Sequence, residues 1–230
     1  MREIIFDTET TGLDSSEDRI IEIGGVEMID RFPTGRSLHF YVNPGDRRVH
    51  PEAVAIHGIT DERLKDEPRF EGIVDAVIEF FGDARLVAHN APFDVGFLNA
   101  EFARLGRPPL AQDRIIDSLS LARRKHPMAP NSLDALCRRY GIDNSGREKH
   151  GALLDSELLA EVYIELIGGK QTSLGLQVAT GGATLAAVTH PGPRPKPLPP
   201  RLDGAGIAKH RERMRDVLGA NGLWSRVRGE

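Results

Sequence analysis

The stretch Ile4-Ile5-Phe6-Asp7-Thr8-Glu9-Thr10-Thr11-Gly12 decides the reading of this chain. An apolar run of strand length ends at Thr-Thr-Gly, a breaker. Side chains alternate along a strand, so Asp7 and Glu9 face the same side. Two neighbouring carboxylates repel and lose water, and a shared proton or a divalent cation relieves both. Two acids at a solvated strand end would explain Asp-x-Glu equally well if they stood alone. Whether further acids stand on unusual faces elsewhere is therefore the question put to the rest of the chain.

Outward from this strand, residues 19–28 alternate well enough for a second strand, 30–35 read as a turn, and 38–42 as a third strand. Short links make the three an antiparallel meander. Pro51 opens a short helix that Gly58 ends, and Thr60 or Asp61 can cap the next. In residues 70–81, Phe70, Ile73, Val74, Val77, Ile78 and Phe81 recur at helical spacing. A short strand at 85–88 leads to a helix with Pro92 as its first residue, running to about 105. Residues 115–116 read as a last strand. Helical segments follow at 117–124 and 132–140, then a polar loop and a helix over 152–167. A meander followed by alternating helices and short strands predicts an α/β fold, a mixed sheet with helices on its faces.

The 230 residues carry 40% hydrophobic and 28% charged side chains and a net charge of −4. No apolar run approaches the length of a membrane span, and the first strand begins at once, with no signal-peptide pattern. A single cysteine, Cys137, falls in an apolar helical pattern and suits a reducing, cytoplasmic setting. Net negative charge argues against a general nucleic-acid binder but not against an enzyme that holds a phosphodiester through metal ions. Basic clusters at Arg123-Arg124-Lys125, Arg138-Arg139 and Arg147/Lys149 read as solvated faces that could touch a DNA backbone.

Composition changes after Gly169. Residues 177–204 are rich in Ala, Gly, Thr and Pro, and prolines at that density exclude helix and sheet interiors. The expected organisation is a domain over 1–169, an extended, disordered linker over 170–204 and a short C-terminal segment over 205–230.

Further acids do stand on unusual faces. Asp94 shares a helix face with Phe97, Leu98 and Leu105, and Asp155 shares one with Leu159, Val162 and Leu166. A buried, unpaired carboxylate costs several kcal/mol or is neutralised. An Arg or Lys partner, or a capping role in the first turn, would also account for each acid alone. Taken together, Asp7, Glu9, Asp94 and Asp155 can converge from one strand end and two helix starts. Oxygen ligands of that kind suit Mg²⁺ or Mn²⁺, and no zinc pattern is present. His150, on a glycine hinge five residues before Asp155, can serve as a general base near neutral pH.

Asp7-Thr8-Glu9-Thr10-Thr11-Gly12, His89-Asn90-Ala91-Pro92-Phe93-Asp94 and His150-Gly151-Ala152-Leu153-Leu154-Asp155 resemble, in order and spacing, the three motifs of the DEDDh exonuclease family. The resemblance covers residues 1 to about 168. It implies a ribonuclease H-like fold and hydrolysis of the terminal phosphodiester at a DNA 3′ end. Asp7, Glu9, Asp94 and Asp155 would hold two Mg²⁺ or Mn²⁺, and His150 would be the base. It also implies that Thr8, Thr10, Leu13, Glu52, His57, Asn90 and Phe93 contact the terminal nucleotide. Within the family the chain is most similar to the epsilon type, the proofreading subunits of bacterial DNA polymerase III. That likeness implies a sliding-clamp peptide over 171–176, with Gln171, Leu174 and Leu176 as contacts. It further implies attachment to the polymerase alpha subunit through the C-terminal segment, including His210, Leu223 and Trp224. A freestanding DEDDh exonuclease acting on RNA or single-stranded DNA shares the same three motifs.

Overall fold

In the computed structural model, β1 (Arg2–Thr10) is the middle strand of a five-stranded sheet. The structure describes residues 1–146, 149–168 and 203–218. Two units divide the chain, Met1–Gly175 and Leu176–Glu230. The sheet order is β3-β2-β1-β4-β5, with β2 (Ile20–Ile29), β3 (Phe32–Tyr41), β4 (Arg85–Ala88) and β5 (Ile115–Asp117). β1, β2 and β3 form the antiparallel meander, and β4 and β5 add in parallel on the other side of β1.

Alternation along β1 gives each face of the sheet its own core. Ile4 and Phe6 pack with α3 (Phe70–Phe81) and α4 (Ala91–Arg104). Ile5 packs with α6 (Leu133–Tyr140) and α7 (Ala152–Leu166), where Leu136, Cys137, Leu159 and Val162 are buried. Each such side chain contributes about 1.5–3 kcal/mol when fully buried. The same alternation carries past Phe6: Thr8 continues the α4 face, and Asp7 and Glu9 continue the α7 face. Between these lie α1 (Pro51–His57), α2 (Asp61–Leu64) and α5 (Ser118–Lys125). Gly58 ends α1 in the left-handed region at φ 75°, and Thr60 caps α2 by accepting from Arg63 N.

Three details differ from the sequence reading. The turn after β2 is two residues, Asp30 (φ 51°) and Arg31 (φ 71°), not 30–35. Both take the left-handed conformation that a tight hairpin turn requires. Pro33 and Gly35 then lie within β3, an edge strand, where a missing N–H is tolerated. On α3 the buried stripe includes Phe80, whereas Ile78 is partly exposed. Ile78 stands about 100° round the helix from the stripe's centre. Ala91, not Pro92, is the first residue of α4.

The second unit contains α8 (Gly204–Leu218). The proline-rich linker and the clamp-peptide residues fall outside the described residues.

Candidate active site

The four acids singled out from sequence line one cleft of about 270 Å³. Asp7 and Glu9 come from the end of β1, Asp94 from the first turn of α4 and Asp155 from the first turn of α7. Neither helical acid caps its own helix. Asp94 reaches instead across to β1, where Oδ1 accepts from Thr8 N at 3.0 Å and Thr8 Oγ1 at 2.7 Å. Burial pushes its carboxyl up to about 7, against the downward pull of the Thr8 hydrogen bonds. Glu9 and Asp155 are buried, and His150 is exposed. Ligand atoms of Glu9, His150 and Asp155 all lie within 4.8 Å of one another, and His150 Nδ1 is 3.2 Å from Asp155 Oδ2.

Local sequence explains why these elements start where they do. β4 ends at Ala88, and Asn90 turns the chain at φ 70°. The backbone N–H groups of Asn90 and Ala91 both donate to Asp117 Oδ1, at 3.1 and 3.3 Å, which anchors the start of α4. His89 Nε2 lies 2.9 Å from the Asn131 carbonyl, so it is the donor, and Nδ1 then accepts from Ser118 Oγ at 2.9 Å. Burial lowers the His89 pKa and favours this neutral form. The first turn of α7 lies directly on β2: a Cβ added at Gly24 would come within 2.3 Å of Leu153 N.

A second cleft of about 550 Å³ adjoins the first and shares Thr8, Glu9 and Phe93 with it. Thr10, Leu13, Glu52 and His57 complete the anticipated lining, and Arg47, His50 and Ile56 line it as well. Leu13 and Ile56 present exposed apolar side chains there. His57 Nδ1 accepts from Ile59 N at 3.0 Å, so Nε2 carries the ring proton, and the Thr10 backbone also hydrogen-bonds the ring. Burial lowers its pKa. Asn90 lines neither cleft, and the Thr8 amide is committed to Asp94.

Of the anticipated partner contacts, only His210 is described, exposed on α8; Gln171, Leu174, Leu176, Leu223 and Trp224 lie outside the described residues. Sequence reasoning passed over Arg47, His50 and Ile56 in the second cleft. It also passed over Asp18, which accepts from Thr11 Oγ1 and Arg47 and so shapes the loop after β1. The run Asp14-x-x-x-Asp18-Arg19 in a turn was the available signal.

The donor set fits a divalent metal ion. Four acids of the cleft offer carboxylate oxygens, and a buried Asp94 held only by neutral donors among the described residues leaves negative charge for a cation to meet.

The exonuclease family RNase_T matches residues 4–163. DNA polymerase III subunit epsilon of Rickettsia conorii is 52% identical over 177 residues, covering 75% of this chain and 76% of that protein. The subunit of the same name from Salmonella typhimurium is 50% identical over 181 residues, covering 75% and 74%. Among solved structures, exonuclease X in complex with 5′ overhanging duplex DNA is 32% identical with a TM-score of 0.58, covering 72% of this chain and 90% of that one. The nuclease domain of 3′hExo, a DEDDh family member bound to rAMP, shares the fold at 18% identity and a TM-score of 0.62, covering 72% and 91%.

Proposed function

Since this chain belongs to the RNase_T exonuclease family and is a 3′–5′ exonuclease, we propose that it serves as the proofreading subunit of a replicative DNA polymerase. It would remove mispaired nucleotides from DNA 3′ ends as nucleoside 5′-monophosphates, in the cytoplasm, attached to DNA polymerase III. The observation that carries this reading is the meeting of two clefts at Thr8, Glu9 and Phe93, one acidic and one the size of a nucleotide.

Asp7, Glu9, Asp94 and Asp155 would hold two Mg²⁺ or Mn²⁺ ions. When bound, such ions supply an acidified water and charge stabilisation for the leaving 3′ oxygen. The chain's own residues do the rest. With Nδ1–H directed at Asp155, His150 presents Nε2 to take the proton from the attacking water. Thr8 holds Asp94 in place through two hydrogen bonds. Glu52 and His57 would face the terminal nucleotide, and Leu13, Ile56 and Phe93 would cover its base. A mispaired end frays more readily than a paired one, so it reaches this recessed site as the single strand the cleft admits. Similarity to epsilon subunits supports two attachments beyond the catalytic domain: the polymerase alpha subunit through the C-terminal segment, and the sliding clamp through Gln171–Leu176.

A Mg²⁺-dependent digestion time course tests the reading. The substrates are a primer–template with a mismatched 3′ end, its matched counterpart and an RNA strand, with Asp7→Ala as the blank. Fast loss of the mismatched DNA end with slow loss of RNA is expected. Preference for RNA would keep the chemistry and overturn the replication role.

A further inference from the structure

One buried acid beside the site has no part in that mechanism. Glu22 lies on β2 directly opposite Glu9 of β1 and opposite Tyr41 of β3. Its side chain is 3% exposed. Oε2 accepts from Ala152 N, the first amide of α7, at 3.2 Å, and Oε1 is 2.6 Å from His39 Nε2. Four N–H groups at a helix start have no partner within the helix, and Gly151 gives α7 no side-chain cap. An acceptor from the neighbouring sheet therefore takes that place, and its negative charge suits the helix N-terminus.

Glu22 does not act on α7 alone. Gly24, two residues along the same face of β2, lets the backbone of Ala152 and Leu153 close onto the strand, and Ser156 Oγ shares its hydroxyl between the Ala152 carbonyl at 2.7 Å and the Gly24 carbonyl at 3.1 Å. The first turn of α7 is thus fixed to β2 at the level of Glu22 and at Gly24. His150 stands two residues before Ala152, and Asp155 three residues after it. A shift of this turn would carry both groups away from Glu9, which is rooted in β1.

We propose that Glu22 is a positioning residue of the metal centre: it pins the first amide of α7 and so holds Asp155 and His150 at their separation from Glu9. The proposal rests on the metal-site reading above. It predicts an effect on metal binding and turnover but not on nucleotide recognition, because the second cleft is built from other elements.

The experiment measures Mn²⁺ binding to the full chain by water-proton relaxation, beside kcat and KM on a DNA 3′ end. Glu22→Ala is expected to weaken Mn²⁺ about 10-fold and to lower kcat by a similar factor, with KM nearly unchanged. Glu22→Gln keeps an acceptor for Ala152 N–H and is expected to recover most of the loss. Ser156→Ala loosens the same turn without touching a carboxylate, so a smaller shift in the same direction is expected even if Glu22→Ala does not fold. Tyr163→Phe removes the hydroxyl bond to Glu3 nearer the other end of α7 and should leave Mn²⁺ binding unchanged. No Mn²⁺ binding by the wild type would refute the metal reading itself. A wild type that binds, with equal binding by Glu22→Ala, no rescue by Gln, or an equal loss in Tyr163→Phe, would overturn the positioning role alone.

Discussion

Asp94 and Glu101 sit two turns apart on α4, and both are buried, at 3% and 1% exposure. Their surroundings differ in kind. Glu101 is gripped by Arg19, whose Nε and Nη2 reach its two oxygens at 2.7 and 2.8 Å, and Arg104 adds a contact at 3.4 Å. Asp94 has Thr8 donors, which carry no charge, and its carboxyl is pushed up to about 7. One end of the helix settles its charge within the chain. The other leaves charge for something that binds. Burial alone does not separate a structural acid from a functional one; the sign of its partners does.

The largest expected effect is at the functional end. Asp155→Ala should cut exonuclease turnover by about a thousandfold, the scale of losing a preorganised electrostatic group. Circular dichroism should show the fold intact; a folded variant with near-normal turnover would place the chemistry elsewhere. His150→Ala should lower kcat by about a hundredfold while Mn²⁺ affinity holds. Parallel losses in both would make His150 a ligand instead of a base.

At the structural end, Glu101→Ala leaves Arg19 partly buried without its partner. A loss of about 3 kcal/mol is expected, seen as a Tm lower by about 10 °C. An unchanged Tm would erase the contrast between the two acids.

The smallest effect concerns pH. Asp94 has a folded pKa raised from 3.8 to about 7, so the native state binds more protons between those values. Its favourable contribution is present below about 4 and is lost as pH rises through about 7. Metal-free protein should therefore weaken over that window, and Asp94→Asn, which keeps an acceptor for Thr8, should flatten the slope by about 1 kcal/mol per pH unit. Thermal melts in chelator across pH 4–8 measure it, and a slope unchanged in the Asn variant would assign the proton to another group.

Much of this was legible in the chain because each site acid violates a pattern. Asp94 and Asp155 interrupt apolar stripes at helical spacing, and Asp7 and Glu9 extend an apolar strand. The sheet with helices on both faces followed from β1's alternation and the helix signals. What was not legible depends on register between distant elements. Glu22 reads as an ordinary acid in Ile20-Ile21-Glu22-Ile23 until the approach of α7 is known, although Gly24-Gly25 hinted at a close backbone contact. Pro33 and Gly35 looked like breakers because nothing local marks β3 as an edge. The resemblance set Thr8 against the terminal nucleotide, and only the packing of α4 against β1 shows its amide committed to Asp94.

The most direct test of the contrast is a paired melt of wild type and Asp7→Ala, each in chelator and in Mn²⁺. If the acids at the end of β1 repel one another and await a cation, Mn²⁺ should raise the wild-type Tm and leave the variant nearly unmoved. In chelator the variant should melt at or above the wild type. A fall of several degrees in chelator, with Mn²⁺ stabilising both proteins alike, would mean that Asp7 holds the fold together as Glu101 does.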